Sequence, residues 1–176
     1  MSEKKTDIVI RSAEPEDAAE LAALLGLPGV YEGLLQTPHT PNASRIEYHQ
    51  KVEPRECRLV AVSDGKIVGM AGLHIMGTTL RRSHARTLGL FVIPEMQGRG
   101  IGRKLLASVI DWADKWGHVL RIELHVHADN ERAHALYKSM GFIDEGRHKG
   151  FALRGGQYID SVSMARLHPN PPRISP

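Results

Sequence analysis

The feature that most constrains this sequence is the stretch PEMQGRGIGRKLL over residues 94–106, where an apolar run meets a helical run at three alternate glycines. Residues 84–93 are largely apolar and end at a proline, which predicts a buried strand. Beyond the glycines, apolar residues recur every three or four positions, which predicts one long amphipathic helix over residues 98–116. A strand that leads directly into such a helix is typical of proteins that mix sheet and helix in layers.

The rest of the chain continues this mixture of strands and helices. The patterns predict further strands over residues 8–11, 58–63, 66–76, 120–127, 142–153 and 158–167, and further helices over residues 15–25, 44–52 and 130–140. Asp64-Gly65 is the dipeptide preferred by a tight type I′ hairpin turn between two of these strands. The resulting order predicts an α/β or α+β fold, a mixed sheet with helices on both faces.

Size and composition indicate one globular domain over residues 1–167. Residues 168–176 hold four prolines and predict an extended, poorly ordered tail. The formal net charge of +3 is too small and too dispersed to favour nucleic acid as a partner. A single cysteine, Cys57, excludes a disulfide within the chain and a cysteine zinc cluster, and no apolar run reaches the roughly 20 residues that cross a bilayer. We therefore expect a cytoplasmic enzyme or binding protein, with no membrane partner and no metal.

The glycine run has a physical interpretation of its own. The first N–H groups of a helix have no carbonyl partner within the helix and lie at its positive end. Glycines remove the Cβ atoms that would keep an anion away from these groups, and Arg99, Arg103 and Lys104 add positive charge. The stretch therefore predicts a phosphate or pyrophosphate site. The spacing matches neither the Walker loop nor the Rossmann fingerprint, so a dinucleotide site is only a distant alternative.

Two separate motifs resemble the signatures of the GCN5-related N-acetyltransferase (GNAT) superfamily. The run 97–102, Gln-Gly-Arg-Gly-Ile-Gly, resembles the Q/R-x-x-G-x-G/A signature, and residues 130–142 resemble N-x-x-A-x-x-x-Y-x-x-x-G-F. The two occur in the family's strand–helix–strand–helix order, and the resemblance covers about residues 7–167. It implies a seven-stranded mixed sheet that splays between its fourth and fifth strands, where acetyl-CoA binds.

The resemblance also implies which residues bind the cofactor. The pantetheine arm would bond the main chain of Leu90, Phe91 and Val92 in the fourth strand, like an added strand. The pyrophosphate would rest on the main chain of Gln97, Gly98, Arg99, Gly100, Ile101, Gly102 and Arg103. Asn130 would cap a helix or bond the pantetheine. Tyr137 would donate a proton or a hydrogen bond to the departing sulfur as the catalytic acid.

The general base and the acceptor pocket are less defined by the sequence. The predicted fourth strand holds no acid, so Glu123 on the next strand is the first candidate for the base, acting through a water. His84, His125 and His127 are alternatives, and so is a reaction without any side-chain base. We expect the acceptor pocket to be built from the loop after the first helix and from the last hairpin. The candidates are Tyr31, Gln36 and His39, and either Arg82 or Arg154 could hold a substrate carboxylate.

Shorter matches resemble a bacterial subgroup of L-amino acid N-acetyltransferases that act on residues such as phenylalanine and methionine. They include Pro28-Gly29-Val30-Tyr31, Arg81-Arg82-Ser83-His84 and Tyr158-x-Asp160. This resemblance implies acetyl transfer to the amine of a small molecule, by direct attack in a ternary complex. A protein or peptide acceptor and a non-catalytic coenzyme A sensor stay open as alternatives, and relatives suggest a homodimer.

Overall fold

The computed structural model describes residues 7–77 and 79–174. Within them, the strands are β1 (Ile8–Ser12), β2 (Cys57–Ser63), β3 (Lys66–Ile75), β4 (Ala85–Val92), β5 (Arg121–His127), β6 (Ile143–Arg154) and β7 (Gln157–Leu167). The α-helices are α1 (Ala18–Leu24), α2 (Asn42–Gln50), α3 (Ile101–Lys115) and α4 (Glu131–Ser139). The predicted elements are therefore all present, with ends that differ by a few residues.

The strands form one seven-stranded mixed sheet in the order β1-β2-β3-β4-β5-β7-β6. The β4–β5 pair is parallel, and its register extends only from Ala85↔Arg121 to Thr87↔Glu123. Beyond Thr87, β4 remains paired to β3 as far as Val92, while β5 remains paired to β7 as far as His127. The sheet therefore opens between β4 and β5, which confirms the predicted splay.

Helices cover both faces of the sheet. On one face, α3 and α4 pack over Leu73, Leu88 and Ile122. On the other face, Leu21 and Leu25 at α1 pack over Val60, Met70 and Phe91. Strand residues alternate between these two cores because successive side chains point to opposite faces. The layered α/β architecture is confirmed.

The predicted start of α3 at Gly98 was wrong, because the helix begins at Ile101. Gly98 and Gly100 have φ angles of 80° and 78°, which belong to the left-handed region and cannot continue a right-handed helix. The recurrence of apolar residues also predicts Trp116 on the apolar face of this helix. That prediction was wrong, because Trp116 is 77% exposed. Leu106, Ile110 and Ala113 are buried instead, so the helix presents a broad stripe to the sheet.

The predicted hairpin turn is present, and the structure describes part of the tail. Asp64 and Gly65 have φ angles of 48° and 77°, as a type I′ turn requires. Residues 168–174 contain no helix or strand, but the His168 N–H donates to Leu120 O at 2.9 Å and ties the start of the tail down. Residues 175–176 lie outside the described residues. In the part of the chain that the structure describes, no helix combines the length and apolarity needed to cross a membrane.

Candidate active site

Two cavities meet where β4 and β5 separate. The first, of 290 Å³, lies between β4, the glycine run and α4, and we call it the glycine-loop cavity. The second, of 520 Å³, lies between α2, the loop before it and the sheet, and we call it the histidine cavity because four histidines line it. Gly33, Leu34, Leu90 and Phe91 line both cavities. A group held in one cavity can therefore reach a group held in the other across β4.

The glycine-loop cavity is formed largely by main chain. A Cβ added to Gly100 would meet no atom within 4 Å, and one added to Gly98 would first meet Arg132 Nη2 at 3.4 Å. The Lys104 N–H donates to Gly100 O at 3.1 Å, so the amides of residues 101–103 precede the first helical hydrogen bond. These amides at the positive end of a 15-residue helix are suited to an anion.

Polar side chains brace this cavity. Gln97 Nε2 donates to Val92 O at 2.9 Å, and Arg132 Nη1 donates to Gln97 Oε1 at 3.3 Å. Arg103 Nη2 donates to Ser139 Oγ at 2.8 Å and links α3 to α4. Among the described residues that line the cavity there are two arginines and no carboxylate. Of the residues predicted for the phosphate site, Arg99 and Lys104 do not line the cavity, and both are exposed.

Asn130 and Tyr137 line the same cavity from α4. Asn130 Oδ1 accepts a hydrogen bond from the Ala133 N–H at 3.1 Å and caps the helix. Tyr137 is 7% exposed, and burial raises the pKa of its phenol to about 12. The hydroxyl makes no hydrogen bond to any residue that the structure describes. Tyr137 is therefore a protonated phenol that is free to donate at neutral pH.

The histidine cavity holds a buried cation. Arg45 of α2 is 6% exposed. Its Nη2 donates to Thr37 O at 2.9 Å and its Nη1 to Thr40 O at 3.3 Å, while Nε lies 3.5 Å from Gln36 Oε1. All three acceptors are neutral, and no described carboxylate lies within ion-pair distance of the guanidinium. Arg45 was not predicted from the sequence, because the pattern of α2 is that of a polar helix.

Three of the four histidines make few polar contacts. His125 stacks on Phe151 with ring centroids 4.7 Å apart. Burial lowers the pKa of both His125 and His127, and it lowers the pKa of His49 to about 4. The Nδ1 atoms of His49 and His127 are buried without a partner among the described residues. All three rings are therefore neutral at neutral pH.

The fourth histidine, His74, has a carboxylate partner. Its Nδ1 lies 3.2 Å from Glu56 Oε2 and 3.1 Å from the Tyr48 hydroxyl. The sequence analysis missed both His74 and Glu56, because they lie 18 positions apart and belong to no motif. The only local signal is that β2 and β3 form a hairpin, which brings the start of one strand beside the end of the other.

Several predicted site residues lie outside both cavities. Glu123 Oε1 accepts from Arg82 Nη2 at 2.6 Å and from Arg121 Nε. Burial raises the pKa of Glu123, but the two arginines outweigh it and the net pKa is lowered. Arg154 pairs with Asp129, and His39 and His84 are exposed. The structure thus brings neither Glu123 nor Arg82 to the cavities, and each neutralises the charge of the other.

The remaining predicted acceptor residues lie near the histidine cavity. Gln36 lines it directly. Tyr31 lines an adjoining cavity of 780 Å³ that shares Gln36, His127 and Phe151 with the histidine cavity. The loop after α1 therefore contributes Gln36 to the histidine cavity and Tyr31 to the cavity beside it.

Comparison with known proteins decides the family. The family model described as "Acetyltransferase (GNAT) family" matches residues 27–142. The chain belongs to the GNAT acetyltransferase family. It is 37% identical to the L-amino acid N-acetyltransferase AaaT of Escherichia coli over 92% of this chain and 99% of that protein. It is also 39% identical to the N-alpha-acetyltransferase RimI of Mycobacterium tuberculosis, over 60% of this chain and 63% of that protein.

Other relatives and solved structures share the fold. A spermidine N(1)-acetyltransferase of Vibrio cholerae is 32% identical over 43% of both chains. A GNAT acetyltransferase of Streptococcus pneumoniae superposes with a TM-score of 0.81 at 28% identity, covering 92% of this chain and 99% of that one. The yncA structure of Salmonella typhimurium, solved with its cofactor acetyl-CoA, gives a TM-score of 0.81 at 20% identity, covering 97% and 98%. This GNAT protein is an N-acetyltransferase that uses acetyl-CoA.

Proposed function

We propose that this GNAT protein acetylates the α-amine of a free L-amino acid with an apolar side chain. Acetyl-CoA would bind in the glycine-loop cavity and the amino acid in the histidine cavity. The observation that carries the proposal is the buried guanidinium of Arg45, which has only neutral partners. Arg45 lines the histidine cavity, which adjoins the glycine-loop cavity. The similarity to an L-amino acid N-acetyltransferase over nearly the whole chain supports the same acceptor.

Arg45 is the group that an amino acid would satisfy. A buried cation without a counter-ion is costly, because neutral carbonyls compensate only part of the hydration that it loses. A guanidinium has five N–H donors, and Arg45 directs three of its nitrogens at loop acceptors. A substrate carboxylate would supply the missing negative charge and accept the remaining donors.

The other walls of the histidine cavity favour an apolar side chain over a polyamine. Apolar side chains dominate the lining and include Leu25, Leu34, Leu35, Met70, Phe91 and Phe151. No aspartate or glutamate occurs among the described residues that line the cavity. A polyamine carries several positive charges and would require such acids. The N-terminal residue of a protein has a neutral amide in place of a free carboxylate. Such an acceptor would therefore leave the positive charge of Arg45 without a counter-ion.

The glycine-loop cavity fits coenzyme A on its own geometry. Gly98 and Gly100 leave open space over free amides, and the described lining holds two arginines without an acid. We propose that the amides of residues 98–103 hold the pyrophosphate and that the main chain of β4 from Leu90 to Val92 holds the pantetheine. The cofactor supplies the acetyl group as a thioester. Tyr137 would donate its phenolic proton to the sulfur that leaves.

The test compares two acceptors that differ only in the carboxylate. Phenylalanine and phenethylamine share the same amine and apolar group, and release of free thiol from acetyl-CoA reports turnover. We expect kcat/KM to favour phenylalanine about 100-fold, the value of one charge-assisted bidentate contact. Equal kcat/KM for the two acceptors, or turnover only with spermidine or with peptides, would contradict the proposal.

Two arginine variants locate the carboxylate contact. Arg45→Met should remove most of the preference for phenylalanine while turnover of phenethylamine changes little. Arg82→Met is the matched control, because the sequence analysis predicted this arginine for the acceptor while the structure pairs it with Glu123. Loss of the preference in Arg82→Met instead of Arg45→Met would return the role to the residue predicted from the sequence.

A further inference from the structure

The side chain of His74 lies on a bare patch of the sheet that faces the histidine cavity. Gly72 of β3 and Gly89 of β4 are cross-strand partners, two residues along the strands from the His74–Thr87 pair and therefore on the same face. A Cβ on Gly72 would lie 2.7 Å from His74 Cε1, and one on Gly89 would lie 3.8 Å from Nε2. The imidazole therefore occupies space that only glycine at position 72 leaves free. Its Nε2 edge extends over two residues that line the cavity.

The other edge of the ring is fixed by Glu56. Glu56 is 10% exposed, and its carboxylate lies behind the cavity wall rather than in it. Its Oε1 accepts from the Ile75 N–H at 3.0 Å, and its Oε2 accepts from Arg58 Nη2 at 2.7 Å. Burial raises the pKa of this carboxyl, but these donors outweigh burial and lower it on balance. Glu56 is therefore an ionised group held in one orientation.

The charge on Glu56 decides which nitrogen of His74 carries the proton. A carboxylate oxygen 3.2 Å from Nδ1 would repel a lone pair there and attracts an N–H instead. Nδ1–H donates to Glu56 Oε2, with the Tyr48 hydroxyl oxygen as a second acceptor at 3.1 Å. The lone pair is then on Nε2, which lies over Gly72 and Gly89. A carboxylate that orients an imidazole in this way is the arrangement used to activate a histidine as a base.

We propose that His74, oriented by Glu56, is the general base that deprotonates the acceptor amine. This inference rests on the proposed function, since it places the amine in the histidine cavity. It replaces the candidates from the sequence, because among the described histidines that line this cavity only His74 has a carboxylate on one ring nitrogen and a free second nitrogen toward the cavity. His74 is here a catalytic residue, and Glu56 is a positioning residue.

The proton balance is simple. The acceptor arrives as an ammonium ion and gives one N–H proton to His74 Nε2, so that its nitrogen gains a free electron pair. The resulting imidazolium is stabilised by Glu56. The nitrogen forms a bond to the acetyl carbonyl carbon as the bond from that carbon to sulfur breaks. The second proton that the nitrogen must lose passes to solvent, and Tyr137 protonates the sulfur. Before the next turnover His74 releases its proton to water, and the Tyr137 phenolate takes a proton back from water.

The groups around His74 make it neutral at neutral pH. Burial lowers its pKa from the ordinary value of 6.5, and Arg58 of β2 acts in the same direction, whereas Glu56 raises it, with a net lowering. From α2, Tyr48 contacts the ring, and His49 has a pKa of about 4 and is uncharged. His125 and His127 line the cavity from β5 and are also neutral near pH 7, because burial lowers their pKa values. The base form is thus present throughout the physiological range.

The experiment is a pH profile of kcat/KM for the best acceptor of the wild-type enzyme, whichever class of amine that is. For the wild type we expect an acidic limb with a midpoint below 6.5. H74Q should lower kcat/KM about 100-fold at pH 7, with the loss shrinking toward high pH as the amine deprotonates by itself. The dissociation constant of acetyl-CoA should stay unchanged, since His74 does not line the glycine-loop cavity. H84Q, an exposed histidine outside both cavities, is the control.

E56Q separates orientation from general damage to the fold. It removes the anion that raises the pKa of His74, so we expect a loss of about tenfold in kcat/KM and an acidic limb displaced to lower pH. A purely structural role would not move the limb. An H74Q enzyme with wild-type kcat/KM at pH 7, or an E56Q limb at the wild-type midpoint, would overturn the proposal. A wild type that acetylates only peptides or polyamines would contradict the proposed acceptor and leave the test of His74 intact.

Discussion

The glycine-loop cavity and the histidine cavity share β4 but are built on opposite principles. The first centres on the main-chain amides and glycines of one continuous run, and side chains of α4 such as Asn130 and Tyr137 complete its wall. The second is made of side chains from α2, its preceding loop and strands β3 to β6. A site made of main chain tolerates many neighbours but few backbone changes, whereas a site made of side chains can change its ligand by single substitutions. This difference explains how one cofactor can serve family members with different acceptors.

Tyr137 lines the glycine-loop cavity, and its proposed role depends on its side chain. Substituting it should give the largest loss of activity. Tyr137→Phe should lower kcat roughly 100-fold, because the variant keeps the ring and loses the proton donor. The dissociation constant of acetyl-CoA, measured by calorimetry, should change less than about threefold. Tyr158→Phe, at a residue that is 74% exposed, is the control. Unchanged kcat in Tyr137→Phe would remove the acid role.

A pair of glycine variants tests whether the glycine-loop cavity depends on main chain. Gly100 and Gly65 have φ angles of 78° and 77°, and a Cβ on either would meet nothing within 4 Å. Valine at either position therefore brings similar backbone strain, of about 1–3 kcal/mol. Only Gly100 borders the cavity, so Gly100→Val should weaken acetyl-CoA binding about 30-fold and Gly65→Val should not. Equal affinity in the two variants would show that the amides do not hold the cofactor.

The histidines that line the histidine cavity should make the stability of the free enzyme depend on pH. His49, His74, His125 and His127 all have pKa values below the ordinary 6.5, and that of His49 is about 4. The unfolded chain then binds more protons than the folded one as pH falls from 6.5 to 4. The free energy of unfolding should therefore drop by about 2 kcal/mol over this window, after allowance for the partial exposure of His49.

Urea unfolding at pH 7 and pH 4.5 measures this loss. His49→Gln should make the dependence on pH shallower, because it removes the histidine whose pKa is shifted to about 4. His84→Gln, at an exposed position, should reproduce the wild-type slope. A wild-type stability that stays constant between these pH values would mean that the folded protein does not hold the four rings in the neutral form.

The sequence predicted the fold and the cofactor well because both follow from local patterns. Alternating apolar residues marked the strands, and the helical period marked α3, although its start failed where Gly98 and Gly100 take left-handed φ angles. The spacing from the glycine run to Tyr137 carried the family resemblance. All of these signals lie within single elements or between neighbouring ones.

The acceptor side could not be predicted to the same degree, because its contacts join distant parts of the chain. Glu56 and His74 meet only because β2 and β3 form a hairpin, and Arg45 is buried only because its loop folds back over it. Conversely, Glu123 is a plausible base by its position on β5, but Arg82 from a distant segment pairs with it, as does Arg121 two residues away. Charge pairing depends on the tertiary fold, which local spacing does not encode.

The opening between β4 and β5 has a consequence for solubility as well as for chemistry. A strand with unpaired N–H and C=O groups is normally a liability, since another chain can add to it and start aggregation. Here the bare stretch of β4 lies in the middle of the sheet, with β3 on one side, β5 across the opening and helices over both faces. The unpaired N–H and C=O groups of β4 are therefore enclosed by β5 and the helices. An extended ligand can enter and reach them, whereas a strand of another chain contacts β5 and the helices first.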